Sequence, residues 1–253
     1  FPHEDFFKLA DDHQARMMRE LNASVPDLGH DYSWNSGNDM QVEEIWSGLG
    51  ISDGFRECMN SDPNVIAVTQ DSYKLIGFTD DDKEKYRKTN QFFDVGVAEQ
   101  NMSMVSAGLA KEGFTPITNG YATFAIGRAY DQIRVSVAHP RYNVKYFPTE
   151  GLLGGDEPFH ECLESVALGY YLPHMQVQWP CDTIEANKAT LAAIREVKGP
   201  VITLQERAPK PIVTKEDTPY QYGIANIIRY TGRQPNFVDS FTACLSTDWS
   251  GAE

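Results

Sequence analysis

The sequence predicts an α/β fold, a mostly parallel sheet flanked by helices, and two observations predict it. From Asn64 onward, short runs of β-branched and aromatic residues alternate with segments of helical period. The helical segments also open and close on residues that begin and end helices: Asp182 with Glu185 at capping-box spacing, then Gly113, Pro140 and Gly199-Pro200 as stops.

The strand expectations, in chain order, are Val65 to Val68, Phe92 to Val95, Phe114 to Thr118, Val144 to Phe147, Met175 to Gln178 and Val201 to Leu204. Between them Ala98, Met102, Val105 and Leu109 fall at helical spacing and stop at Gly113, a favoured C-terminal cap. Ile126, Tyr130, Ile133 and Val137 form a second stripe that ends before Pro140, and Ile184, Leu191 and Ile194 a third. Residues 1–60 read differently, with an amphipathic helix expected around Phe6 to Leu21 and a loop-rich stretch through Pro26, Gly29 and Gly37. The domain expectation is therefore an interdomain or capping segment over 1–60, the α/β domain over 61–213, and over 214–253 a linker and the start of a truncated C-terminal domain. A start at Phe1 and an end at Glu253 within a polar stretch read as cut ends.

Composition narrows the function classes. With 41% apolar residues in 253, the chain can bury a core. A net charge of -14, from 36 acidic against 22 basic residues, argues against nucleic-acid and membrane surfaces. No apolar run approaches the ~20 residues of a membrane span and no signal peptide is read, so a soluble, cytoplasmic protein is expected. Cys58, Cys162, Cys181 and Cys244 stand far apart, which indicates neither a zinc site nor a disulfide framework.

The segment Phe92-Phe93-Asp94-Val95-Gly96-Val97-Ala98-Glu99-Gln100-Asn101-Met102 puts a carboxylate in the first turn of a helix that directly follows a strand. Ligands of open α/β sheets gather at such strand ends. Taken alone, Glu99 can equally complement the helix dipole. The same segment, with Ser-Ala-Gly-Leu-Ala at 106–110 and Gly-Arg-Ala-Tyr-Asp-Gln-Ile-Arg at 127–134, resembles the pyrimidine-binding domain of the transketolase family, and the likeness runs in register from about 61 to about 213.

That resemblance implies thiamine diphosphate as cofactor, with Glu99 hydrogen-bonded to N1′ of the aminopyrimidine and promoting its 4′-imino tautomer. Catalytic roles fall on Glu99 and His160, and Tyr121 and Phe124 become the aromatic wall against the ring; as unaligned residues these two read as core packing. His160 and Asp156, in Gly154-Gly155-Asp156-Glu157-Pro158-Phe159-His160-Glu161, take the positions that contact the donor ketose; the alternative is a helix-entry loop with Pro158 at its first helical position. Arg207 aligns with a phosphate-binding arginine, its alternative being a surface ion pair with Glu206. The chain departs from the family pattern at Glu150, where a histidine is usual, and at Glu161, where Gln is usual. A carboxylate at 150 would repel a neighbouring anion and leaves the exact sugar open.

The Gly-Asp-Gly segment that holds the diphosphate and Mg²⁺ in the family does not occur here, so the Mg²⁺ ligands are expected in a partner domain or subunit. A homodimer or heterotetramer with a diphosphate-binding domain is implied, with sugar phosphates as substrates. The resemblance implies transfer of a two-carbon ketol unit. The alternatives are a 1-deoxyxylulose-5-phosphate synthase, a 2-oxo-acid dehydrogenase E1 β-like subunit, or a non-catalytic scaffold of the same fold. Asn101-Met102 after Glu99-Gln100 favours transketolase over the synthase.

Overall fold

Strands β2 (Val65–Thr69), β3 (Phe92–Asp94), β4 (Thr115–Tyr121), β5 (Lys145–Glu150), β6 (Gln176–Gln178), β7 (Val201–Thr203) and β8 (Gln205–Glu206) build a parallel sheet in the order β3-β2-β4-β5-β7-β6, with β8 beside β5. The structure is a computed structural model that describes residues 43–150, 158–160, 162 and 164–224. The expected helix at Phe6 to Leu21, the loop-rich stretch that follows it, Cys244 and the C-terminal segment from 225 lie outside the described residues. All six expected strands are present, four of them within a residue of their expected limits, while β4 and β5 each run three residues further than expected. A short antiparallel ribbon pairs β1 (Glu44–Ile45) with β9 (Lys210–Pro211).

Both faces of the sheet are covered, which is why β2 is mostly apolar without alternation, every one of its residues being buried. Side chains nevertheless divide by parity. Val65, Ala67, Phe147 and Val201 pack on one face with Phe55, Ala186 and Ala193. Tyr146 and Ile202 pack on the other face with Ala107, Ile133 and Val177, where Ile66 and Val68 meet Met102 and Ala125.

The first face carries helices α1 (Ser47–Ser61) and α6 (Thr183–Arg195). They approach closely because Gly50 has no side chain; a Cβ there would collide with the Thr183 carbonyl. Gly50 N–H donates to Thr183 Oγ1 at 3.0 Å, and Asn187 Nδ2 donates to the Gly50 carbonyl at 3.1 Å. Residues 47–60, assigned from sequence to the capping segment, thus form a helix within the core. At the start of α6, Asp182 Oδ1 accepts from Glu185 N–H at 2.8 Å, as the spacing predicts, while the Glu185 carboxylate reaches Cys181 N–H at 2.7 Å. Asp182 also accepts from the Val213 and Thr214 amides at 2.8 and 2.6 Å, tying the segment after β9 to this helix.

Helix α2 (Asp80–Lys88) opens on a full capping box between Thr79 and Asp82. Helix α3 (Glu99–Lys111) lies on the second face, as does a longer helical run with α4 (Tyr130–Ile133) at its centre and π-helical turns at Thr123–Arg128 and Arg134–Ala138. A short α5 (Ser165–Tyr170) precedes β6. Among the described residues, no helix is long and apolar enough to cross a membrane.

From β2 the chain crosses to β3 on one side, then returns to place β4 on the other. The crevice between the carboxyl ends of β2 and β4 is therefore a topological switch point, the place where open α/β sheets bind ligands.

Candidate active site

The polypeptide leaves β3 through a turn in which Asp94 Oδ1 accepts from Gly96 N–H at 3.0 Å and from Asp71 N–H at 2.9 Å. That turn sets Glu99 as the first residue of α3. Its carboxylate is 4% exposed, and both oxygens accept from Arg128 Nη1 at 3.1 Å. A purely dipole-complementing residue would face water; this one is turned inward and paired.

Arg128 ends the first π-helical turn. Wide turns of this kind re-aim side chains and are frequent at functional sites. Here the turn carries Phe124 and Arg128 together, with the guanidinium 4.6 Å from the Phe124 ring centre. Phe124 meets Tyr121 at 6.3 Å and His160 at 5.3 Å, and the Tyr121 and His160 rings are 4.7 Å apart, all edge to face. The Tyr121 hydroxyl accepts a hydrogen bond from Arg207, whose guanidinium lies 5.7 Å from the Tyr121 ring centre. A continuous line of contacts thus runs from buried Glu99 through Arg128, Phe124, His160 and Tyr121 to exposed Arg207.

Five of the six residues singled out from sequence are brought together by this line: Glu99, Tyr121, Phe124, His160 and Arg207. Asp156 lies outside the described residues, as do Glu161 and the side chain of Glu150. His160 closes a 3-10 turn begun at Pro158, and its Nδ1 is buried without a hydrogen-bond partner among the described residues. Glu206, the alternative partner for Arg207, pairs with Lys210 at 2.8 Å.

Sequence reasoning missed Arg128. It stands inside the quoted 127–134 motif, four residues after Phe124, and that spacing was the available signal. Among the described residues, no group of three His, Cys, Asp or Glu side chains could hold a metal ion.

The arrangement offers a fixed buried carboxylate, a wall of rings, an imidazole with a buried nitrogen and, at the outer end, a guanidinium suited to an anion. The family described as "Transketolase, pyrimidine binding domain" matches residues 45–209. The chain is 35% identical over 195 residues to a "Putative transketolase C-terminal section" of Methanocaldococcus jannaschii, covering 75% of this chain and 60% of that protein. It is 32% identical over 177 residues to a 1-deoxy-D-xylulose-5-phosphate synthase of Geobacillus thermodenitrificans, covering 67% of this chain and 27% of that protein. A solved structure described as "Split gene transketolase, inactive beta4 tetramer" superimposes with a TM-score of 0.64 at 30% identity, over 74% of this chain and 60% of that one. The chain therefore spans less than two thirds of the length of these relatives. With the match covering most of the sequence and enclosing Glu99, Arg128 and the ring cluster, the chain belongs to the transketolase family and contains its pyrimidine-binding domain.

Proposed function

We propose that this chain supplies the aminopyrimidine-binding half of a thiamine-diphosphate site and, with a diphosphate-binding partner, transfers a two-carbon ketol unit between sugar phosphates. The observation that carries this reading is the Glu99 carboxylate, 4% exposed at the opening of α3 and joined through Arg128 to the ring cluster. These residues fit the cofactor's ring: an inward-facing carboxylate can share a proton with a ring nitrogen, and Tyr121 and Phe124 offer edges and faces to a flat heterocycle.

When bound, thiamine diphosphate supplies the carbon nucleophile of the reaction. Glu99, held by Arg128 in one orientation, meets the ring without first having to be ordered. His160, whose buried Nδ1 has no partner among the described residues, can donate or accept a proton at a substrate oxygen. Arg207, at the exposed end of the cluster, grips the substrate phosphate through paired N–H groups. Asp156 reads a donor hydroxyl. Mg²⁺ takes oxygen ligands from the partner domain or subunit, which also holds the diphosphate, in a homodimer or heterotetramer within the cytoplasm.

A second reading, synthesis of 1-deoxy-D-xylulose 5-phosphate, is favoured by the 32% identity to the synthase. Asn101-Met102 and the higher identity to the transketolase section support ketol transfer instead. The two separate in one assay. The full chain is combined with its diphosphate-domain partner, thiamine diphosphate and Mg²⁺, then given either a ketose and an aldose phosphate or the synthase substrates. Ketol transfer in the first mixture, abolished in Glu99→Gln with an unchanged circular dichroism spectrum, is the expected result. Undiminished activity of Glu99→Gln overturns the assignment, and product in the second mixture alone selects the synthase.

A further inference from the structure

The switch-point crevice contains a group with no role so far. Gln70 follows the last residue of β2, between β3, which leads to Glu99, and β4, which leads to Tyr121 and Phe124. It is 6% exposed, and its Oε1 has no hydrogen-bond partner among the described residues. Gln205 Oε1 is likewise without a partner among the described residues, but its Nε2 donates to Leu75 O and Thr149 Oγ1, and two other buried glutamines are also anchored through their amides. Gln91 Nε2 donates to the carbonyls of Met59, Asp62 and Val65 at 2.8, 3.1 and 3.1 Å, and Gln178 Nε2 donates to Ala189 O and Thr203 Oγ1 at 3.1 and 2.7 Å. Those two brace the backbone; Gln70 does not.

The surroundings are shaped to keep the Gln70 carboxamide where it is. Gly120, next to Tyr121, has φ 150, and a Cβ there would collide with that carboxamide and lie 3.2 Å from Ala125 Cβ, beside Phe124. A glycine thus opens the floor of the crevice, and the space is taken by a polar group rather than by an apolar one. Burying an unsatisfied amide oxygen costs about 1–3 kcal/mol, and native proteins keep such groups where a ligand or an ordered water answers them.

We propose that Gln70 is a ligand-binding residue that hydrogen-bonds the polar edge of the heteroaromatic ring held between Glu99 and the Tyr121–Phe124 wall. A carboxamide presents an acceptor and a donor side by side in one plane. An aminopyrimidine edge presents an amine donor beside a ring-nitrogen acceptor, the complementary pair. This inference rests on the thiamine-diphosphate reading above and adds a contact to it.

The test is calorimetric titration of the full chain, assembled with its diphosphate-domain partner and Mg²⁺, with two probes. One is thiamine diphosphate; the other is an analogue carrying a plain phenyl ring in place of the aminopyrimidine. Gln70→Leu, similar in size and unable to hydrogen-bond, is expected to weaken thiamine diphosphate roughly tenfold or more and to leave the phenyl analogue within about threefold. Gln70→Asn, which keeps the carboxamide but shortens its reach, is expected to show an intermediate loss and serves if the leucine variant does not fold. Equal losses for both probes, or no loss for thiamine diphosphate in either variant, overturn the proposal while leaving the cofactor reading intact. Failure of the wild-type assembly to bind thiamine diphosphate overturns both.

Discussion

Glu99 and Arg128 form an ion pair whose two ends live in different solvents. The carboxylate side chain is 5% exposed and the guanidinium 50%, so the pair is not worth what its 3.1 Å distance suggests, because water competes for one member. The asymmetry yields a prediction. Arg128→Met leaves a buried carboxylate without its cation and is expected to lower stability by about 1–3 kcal/mol, whereas Glu99→Gln leaves a half-exposed arginine that water can solvate and is expected to cost less than about 1 kcal/mol. Urea unfolding of the two variants checks the order; a larger loss in Glu99→Gln would contradict it. Lys145 is the other residue whose burial has consequences. It is fully buried in β5, donates to the carbonyls of Val197 and Gly199 at 2.9 and 2.7 Å, and burial, aided by Lys198, pulls it down to about 7. An unfolded lysine near 10.5 binds its proton where the folded one has lost it, so this residue makes stability rise as pH increases from about 7 towards 10.5, by at most about 1.4 kcal/mol per pH unit. Lys145→Met is expected to flatten that slope in unfolding measurements at pH 7, 8 and 9. Glu99 and the rings were legible in the sequence because the motif around them is contiguous. Arg128 was not, because its partner lies 29 positions away and a widened turn decides where it points.

At the scale of elements, the sequence was most informative where an apolar stripe and a stop signal coincide. The run from Ala98 to Leu109 became α3, and Asp182 begins α6 as its spacing predicts. Three helices escaped notice, the short α5 among them, and the other two did so for opposite physical reasons. Helix α1 contains Gly48, Gly50 and Gly54, which propensity alone would keep out of a helix; packing against α6 overrides that preference. Helix α2 is charged at almost every position, with Tyr86 its buried residue, so it has no stripe to read; its Thr79–Asp82 capping box and the Arg56–Asp82 pair at 2.8 Å hold it instead. The stripe from Ile126 to Val137 was read correctly as helical, but the π-helical turns at its ends have no signature in spacing. Close helix packing reverses an ordinary expectation. Gly→Ala inside a helix usually stabilises by up to about 1 kcal/mol, yet Gly50→Ala is expected to destabilise by about 1–3 kcal/mol because the methyl group meets the Thr183 carbonyl. A raised thermal midpoint in that variant would show that α1 and α6 can separate without cost.

On the proposed function, the described residues provide the ring-binding half of a site and the ionic half comes from a partner domain or subunit. Mg²⁺ needs several oxygen ligands together, and the described residues contain no group of three His, Cys, Asp or Glu side chains that could hold it. The full chain by itself is therefore expected to show no ketol transfer at any thiamine diphosphate concentration, and to gain activity in proportion as its diphosphate-domain partner is added until a fixed stoichiometry is reached. Measurable turnover by the chain alone would contradict the division of labour. Sheet order was beyond the sequence, since the spacing of strands along a chain does not say which neighbour each will choose. Yet that order creates the switch point at which Gln70 and Gly120 meet.

The small ribbon between β1 and β9 has a bearing on ancestry. By pairing Ile45 with Lys210, it brings the chain's entrance to the domain and its exit to the same spot. A module fastened at one corner can be spliced behind another coding segment, or cut loose as an independent gene, with little disturbance to its interior. Genes that fuse and split in evolution favour parts with such a hinge-side seam.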